Sequence, residues 1–287
     1  MSADGRFAPS PTGPLHLGNL RTALLAWLFA RSAGARHLVR MEDLDTGRVK
    51  PGVAEEQLAD LAAIGVDWDG EVVYQSQRLD RYADAIAQLR AAGRVYECFC
   101  TRAEIRAAAS APHGPLPEGA YPGTCLHLTA EQLAERRASG RPPALRIRAD
   151  AAHVTFTDRL RGPQAGVVDD FVVQRNDGAP AYNLAVVVDD AAQGIGEVVR
   201  GDDLLDSTPR QLFLARALGV SEPAHAHVPL VLGADGARLA KRHGDVTLRD
   251  VPPAAARAWM AETLGFDLDP ATFDPGAIPR EPTIWRG

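Results

Sequence analysis

The stretch "FAPSPTGPLHLGN", residues 7–19, decides how the chain is to be read. It packs three prolines, two glycines and one histidine into thirteen positions. "GRFAPS" reads as a short strand running into it. The apolar set that follows, Leu20, Ala23, Leu24, Trp27 and Leu28, has the i, i+3, i+4, i+7 spacing of a buried helix face. The stretch is therefore a stiff strand-to-helix turn with His16 and Asn19 at the helix entrance. Helix N-termini offer free N–H groups and a positive dipole end to anions. In an open α/β sheet, ligands sit where such turns leave the carboxyl ends of strands. Taken alone, His16 is better read as structural or exposed than as catalytic.

Working outward, strands and helices alternate. "RHLVRMED" is a second strand, and "GVAEEQLADLAAIG" and "RLDRYADAIAQLRAAG" are helices closed by Gly65 and Gly93. This rhythm predicts an α/β fold with a doubly wound parallel sheet of Rossmann type. The texture changes at residues 96–165, which hold all three cysteines, the Pro/Gly-rich run "APHGPLPEGAYPGTC" and a capping box at Thr129 and Gln132. This is a candidate inserted subdomain. The rhythm resumes over 166–235, where Asn176-Asp177-Gly178 suggests a hairpin, "GEVVRG" a strand, and "STPRQLFLARALG" a helix capped by Ser207. Residues 236–287 hold a basic loop, one helical pattern and a Pro-rich tail.

Bulk properties narrow the setting. The chain has 287 residues, 46% of them hydrophobic, enough for a sizeable core. No apolar run is long enough for a membrane span, and the first residues lack a signal-peptide pattern. An odd and small cysteine count suits a reducing cytoplasm. A formal net charge of −6 means that any nucleic-acid surface must be a local basic patch.

A second stretch, "RLAKRHG" at 238–244, is by itself an ordinary basic loop. Paired with the first, it resembles the two signatures of class I aminoacyl-tRNA synthetases. "PSPTGPLHLGNLRTAL" is similar to the first signature in its glutamyl-tRNA synthetase form, and "RLAKRHG" to the second. The resemblance runs on in order through "RMEDLDTGR", "GVDWDG", "YQSQRLDRY", "YNLAVVVDD" and "EVVRGDDLLDSTPRQ". It departs from the pattern at Asn19, Arg238, Ala240 and Arg242. It implies that ATP, with Mg2+, activates an amino acid as its adenylate, which is then passed to RNA. His16 and Lys241 would be the catalytic residues, with Gly18 and Asn19 beside them at ATP. The resemblance also implies a glutamate pocket of Arg6, Phe7, Ala8, Pro9, Ser10, Glu42, Tyr182 and Arg200. In it Arg6 and Arg200 hold carboxylates, Glu42 takes the ammonium and Tyr182 supplies a hydroxyl. The chemistry suits these types, since an Arg fork donates two parallel bonds to a carboxylate.

Cys98, Cys100 and Cys125 supply three thiolates and lack a fourth ligand for tetrahedral zinc. Tyr121, His113 and His127 are nearby, and three unrelated cysteines are the alternative. The spacing C-x-C…Y-x-x-x-C resembles the zinc site of one family branch, which implies Tyr121 as the fourth ligand of one structural Zn2+.

About forty residues follow the second signature, too few for an anticodon-binding domain. That shortness, with the zinc-type insert, resembles the truncated paralogues called glutamyl-Q tRNA(Asp) synthetases. The resemblance implies glutamate activation without tRNA and transfer to queuosine at the first anticodon position of tRNA(Asp). Arg102, Arg106, Arg136, Arg137 and Arg141 of the insert are expected to meet the RNA, and the protein is expected to be a cytoplasmic monomer. A minimal glutamyl-tRNA synthetase, a small-molecule glutamate ligase and a noncatalytic RNA-binding paralogue are the competing readings.

Overall fold

The computed structural model describes residues 4–109, 120–236, 239 and 246–286, with the backbone alone at 106–109. The first part alternates β1 (Gly5–Phe7), α1 (Leu17–Ser32), β2 (His37–Met41), α2 (Val53–Ala63), β3 (Val73–Tyr74) and α3 (Leu79–Ala91). Next come β4 (Val95–Cys98), α4 (Arg102–Ala109), α5 (Ala130–Ala138), β5 (Ala144–Ile147), β6 (His153–Asp158), β7 (Gly162–Val167) and β8 (Val172–Gln174). The remainder is α6 (Tyr182–Gln193), β9 (Glu197–Gly201), α7 (Thr208–Leu218), β10 (Ala224–Val228), β11 (Val231–Leu232), α8 (Pro253–Leu264) and β12 (Thr283–Ile284).

Seven strands form one sheet in the order β3-β2-β1-β9-β10-β6-β7, parallel throughout except for the β6–β7 edge. The chain winds outward from β1 through β2 and β3, then restarts on the other side with β9 and β10. Strand order thus reverses between β1 and β9. These two share a single register pair, Gly5 with Glu197, at the amino end of each. A ligand crevice belongs at such a switch point, beyond the carboxyl ends. Helices fall into two apolar clusters, α1, α2 and α8 in one and α3, α6 and α7 in the other. α1 is buried almost all round, because Leu25, Ala26, Phe29 and Ala30 join the expected stripe in the core.

Several local expectations hold. Gly93 takes φ +66° to end α3, and the Thr129–Gln132 capping box forms at α5. Others are corrected. The Asn176-Asp177-Gly178 turn forms, but its second arm gives only a bridge between Gln174 and Pro180 before α6 begins. Pro180 cannot donate to a ladder, and Leu184, Ala185 and Val187 pack a helical face into the core. Ser207 occupies the N-cap position of α7 with helical φ and ψ and makes no side-chain capping bond, because a 3-10 turn already feeds the helix. The β6–β7 hairpin, read as part of the insert, lies on the edge of the main sheet. The insert's own sheet is β4-β5-β8, antiparallel, and it reaches past residue 165. The Pro-rich tail returns as β12 to pair with β11, and Trp285 stands edge-on to Trp259 at 4.9 Å.

One buried ionic cluster ties the layers together. Asp190 of α6 accepts from Arg6 Nε and Nη2 of β1, both at 3.1 Å, and from Arg40 Nη1 of β2 at 2.7 Å. Its neighbour Asp189 accepts from Gln75, Arg78 and the Tyr82 hydroxyl. Burial alone would push the Asp190 carboxyl up, but Arg6 and Arg40 hold it down at about 2. A carboxylate depressed below its unfolded value of about 3.9 stabilises the fold at neutral pH and loses that contribution as pH falls toward 2. Asp190→Ala should cost about 3–5 kcal/mol at pH 7, as for one partner removed from a buried ion pair. The stability gap between variant and wild type in urea titrations should shrink by about 2.6 kcal/mol as pH falls from about 4 to about 2, the most that those two values allow.

Candidate functional site

A cleft of about 550 Å³ opens at the switch point. Arg6, Phe7, Ala8, Pro9, Ser10, His16, Gly18, Asn19, Glu42, Tyr182 and Arg200 all line it. Residues scattered over almost two hundred positions of sequence are thus brought together. Lys241, Arg238, Ala240 and Arg242 lie outside the described residues. Leu239, from the same loop, is buried and lines the cleft. Just past the loop, Val246 O accepts from Leu17 N at 2.8 Å, and Thr247 bridges to His16. The residues that follow the second signature therefore touch the first.

The opening stretch has a local explanation. His16 is the N-cap of α1, its Nδ1 accepting from Asn19 N at 3.2 Å. With Nδ1 accepting, the neutral ring carries its proton on Nε2. A side chain at Gly18 would put its Cβ 3.0 Å from His16 Cε1 and crowd the ring at its cap. The first turn holds no acidic residue, so the positive helix end is left for an anion. Gln57 of α2 pins the turn, donating to Ser10 O at 3.1 Å and Gly13 O at 2.7 Å. Sequence reading missed Gln57. The available signal was a polar residue on the apolar face of α2 marked by Ala54, Leu61 and Ile64.

The two cleft arginines are held differently. Asp190 takes Nε and Nη2 of Arg6 directly. Arg200 donates to His227 Nε2, Gln211 Oε1, Leu204 O and Thr208 Oγ1, all neutral acceptors. Most of its donors are thus committed to its own support, more than the sequence suggested. Burial lowers its pKa from the ordinary arginine value. Glu42 meets Arg40 Nη2 at 3.4 Å, and burial pushes its carboxyl up against the pull of Arg40 and Arg6. A second cation beside Glu42 would relieve that cost. Tyr182 is 43% exposed at the cleft mouth.

A second cleft of about 790 Å³ shares Ser10, Glu42 and Tyr182 with the first and runs toward the insert. Arg102, Arg141, Arg146 and Arg175 line it. Of the other insert arginines, Arg136 lies beside Cys125, Arg137 is paired with Glu97 at 2.8 Å, and Arg106 is described only in its backbone.

Cys98, Cys100 and Cys125 converge, their sulfurs within 4.8 Å of one another. Tyr121 Oη lies 3.4 Å from Cys98 Sγ and 3.6 Å from Cys100 Sγ, and Cys100 and Cys125 are 3.5 Å apart. A tetrahedral ion bonded to sulfur at about 2.3 Å and oxygen at about 2.0 Å would set S···S near 3.8 Å and S···O near 3.5 Å. These three distances lie within about 0.3 Å of that figure. His127 is exposed and outside the triad, and His113 lies outside the described residues. Arg146 covers the Tyr121 ring at 3.6 Å, so this cluster also forms one wall of the second cleft.

Among the described residues, no helix is long and apolar enough to cross a membrane. Residues 3–253 match the family model described as tRNA synthetases class I (E and Q), catalytic domain. A protein of Nocardia farcinica named glutamyl-Q tRNA(Asp) synthetase is 61% identical over 98% of this chain and 92% of its own length. A Symbiobacterium thermophilum protein of the same name is 51% identical over 97% and 94%. A solved glutamate tRNA ligase from Elizabethkingia meningosepticum, in complex with its amino acid, superposes with a TM-score of 0.84 and 27% identity, covering all of this chain and 67% of that one. The first signature lining a cleft at the switch point of one parallel sheet, with Leu239 beside it, and relatives matched along nearly the whole length, make this chain a member of the class I glutamate-type tRNA synthetases, in the glutamyl-Q tRNA(Asp) synthetase family.

Proposed function

We propose that the switch-point cleft converts L-glutamate and ATP to glutamyl-adenylate, and that the acyl group then passes to queuosine in tRNA(Asp). The observation that carries the first step is the single cleft shared by the His16 helix end and the Arg6, Glu42, Tyr182 and Arg200 set. A glutamate carboxylate oxygen attacks the α-phosphorus of ATP, the bond to the bridging oxygen breaks, and pyrophosphate leaves. Negative charge grows on the α-phosphate oxygens. His16 Nε2–H and the N-terminal amides of α1 donate to them, and Lys241 neutralises the departing pyrophosphate. Mg2+ travels with ATP and screens its phosphates. Glu42 takes the substrate ammonium, Arg6 and Arg200 its carboxylates, and Tyr182 adds a hydroxyl.

The second cleft supports the transfer step. It joins the first at Ser10, Glu42 and Tyr182, so a nucleophile on a base seated there reaches the adenylate carbonyl and displaces AMP. Its arginines supply local cations for RNA on a chain of net charge −6. A structural Zn2+ on Cys98, Cys100, Tyr121 and Cys125 holds together an insert with little apolar core of its own. The protein acts in the cytoplasm as a monomer.

Lys241→Ala should slow RNA-independent pyrophosphate exchange by about 10²–10³, the usual loss for one transition-state charge partner. His16→Asn should do likewise with an unchanged melting temperature, since Asn is an equally good N-cap. Near wild-type exchange in either variant would remove that residue from the mechanism.

Elemental analysis of protein purified without chelator should find one zinc per chain. Cys125→Ser should release it and loosen the insert to proteolysis. Tyr121→Phe with zinc fully retained would leave the triad but discard the phenol ligand.

Labelled glutamate should appear on tRNA(Asp) carrying queuosine and not on tRNA(Glu), with a steep loss in salt as phosphate contacts are screened. Labelling of tRNA(Glu) alone would make the chain a minimal glutamyl-tRNA synthetase.

A further inference from the structure

His227, on β10, is wholly buried, and so is Asp158 at the end of β6. His227 Nδ1 stands 2.6 Å from Asp158 Oδ2. The same carboxylate accepts the backbone N–H groups of Leu160, Arg161 and His227 at 2.9, 2.8 and 3.1 Å. Burial opposes its ionisation, yet these donors hold it down at about 2. An ionised carboxylate only accepts, so the ring proton sits on Nδ1 and the lone pair on Nε2. That lone pair receives Arg200 Nε–H at 3.0 Å, beside Thr208 Oγ1, which takes Nη2 at 2.8 Å. Burial and the neighbouring Arg200 cation lower the His227 pKa, against the pull of Asp158, and keep the ring neutral at pH 7.

We propose that His227 is a positioning residue for the glutamate site: oriented by Asp158, it offers Arg200 a fixed neutral acceptor that aims the guanidinium without cancelling its charge. This rests on the reading of Arg200 as a glutamate-binding cation. The contrast with Arg6 carries the argument. Arg6 is paired directly with a carboxylate, which discharges much of its field. A carboxylate placed directly on Arg200 would compete with the substrate for it. An interposed imidazole moves the negative charge one ring away and keeps only the orienting hydrogen bond. Gln211 and Leu204 complete the same logic with neutral oxygens.

The test compares two amides at position 227. Asn reaches Asp158 but is too short to accept from Arg200, whereas Gln places an oxygen where Nε2 stands. His227→Asn should raise the glutamate KM by about tenfold or more, the loss of a hydrogen bond to a charged group, with kcat and the ATP KM within about threefold of wild type. His227→Gln should restore the glutamate KM to within about threefold. If the Asn variant does not fold in a urea titration, His227→Leu, similar in volume and without an acceptor, takes its place with the same expectation. An unchanged glutamate KM in the variant lacking an acceptor would overturn the proposal. So would a Gln variant as impaired as it, or an equal shift in all three parameters. Arg200→Lys is measured in parallel. Should it leave the glutamate KM unchanged, the assignment of Arg200 to glutamate fails, and the inference falls with it.

Discussion

Asp190 receives Arg6 from the first strand and Arg40 from the second, with the carboxylate supplied by the sixth helix from 184 residues away. The geometry of the cleft depends on this meeting. It fixes the strand residue that opens the switch point, and through Arg40 it fixes Glu42 two positions further on. Buried ion pairs repay their desolvation only when the remaining donors and acceptors are filled. Here Gln193 takes the second bond of Arg40 Nη1 and Asp189 accepts from Tyr82, Gln75 and Arg78 Nε, while Arg40 Nε, 3.8 Å from Asp189, and Arg78 Nη2 make no hydrogen bond, so the cluster is filled in part. The site is therefore set by a scaffold of charge rather than by loop packing.

Charge is also rationed by position. The chain as a whole is acidic, yet both clefts are lined by guanidinium groups. Arg6 is compensated by a carboxylate, and Arg200 only by neutral acceptors. On the proposed reading, the pocket would present two differently compensated cations to a substrate with two carboxylates and one ammonium. Such an arrangement gives direction to an otherwise nearly symmetrical dicarboxylate.

Much of this was legible in the sequence, and the boundary of legibility has a physical cause. Local rules found α1, its His16 entrance, the α5 capping box and the grouping of Cys98, Cys100 and Cys125, because spacing within a short segment already constrains them, whereas Tyr121 came from family resemblance alone. The hairpin after Gly178 was over-read, since turn chemistry is local and the fate of the following strand is not. Asp190, Gln57, Asp158 and His227 were not found at all. Each is a polar side chain inside an otherwise apolar pattern, where sequence alone shows an interruption and only the fold shows a partner. Family resemblance named the cleft lining but was silent on what holds it.

The cap at the first helix has one more implication. Its amide occupies the same ring nitrogen that a proton would need in order to leave or arrive there. His16 exchanges tautomers only by giving up its capping bond to Asn19 N, at a cost of about 1 kcal/mol. A histidine so held is biased against shuttling a proton. In the proposed reaction it would act as a fixed dipole, a donor whose direction was set when the chain folded. The residue type most associated with acid–base chemistry is here turned into an electrostatic fixture, and the ring's usefulness comes from the freedom it has lost.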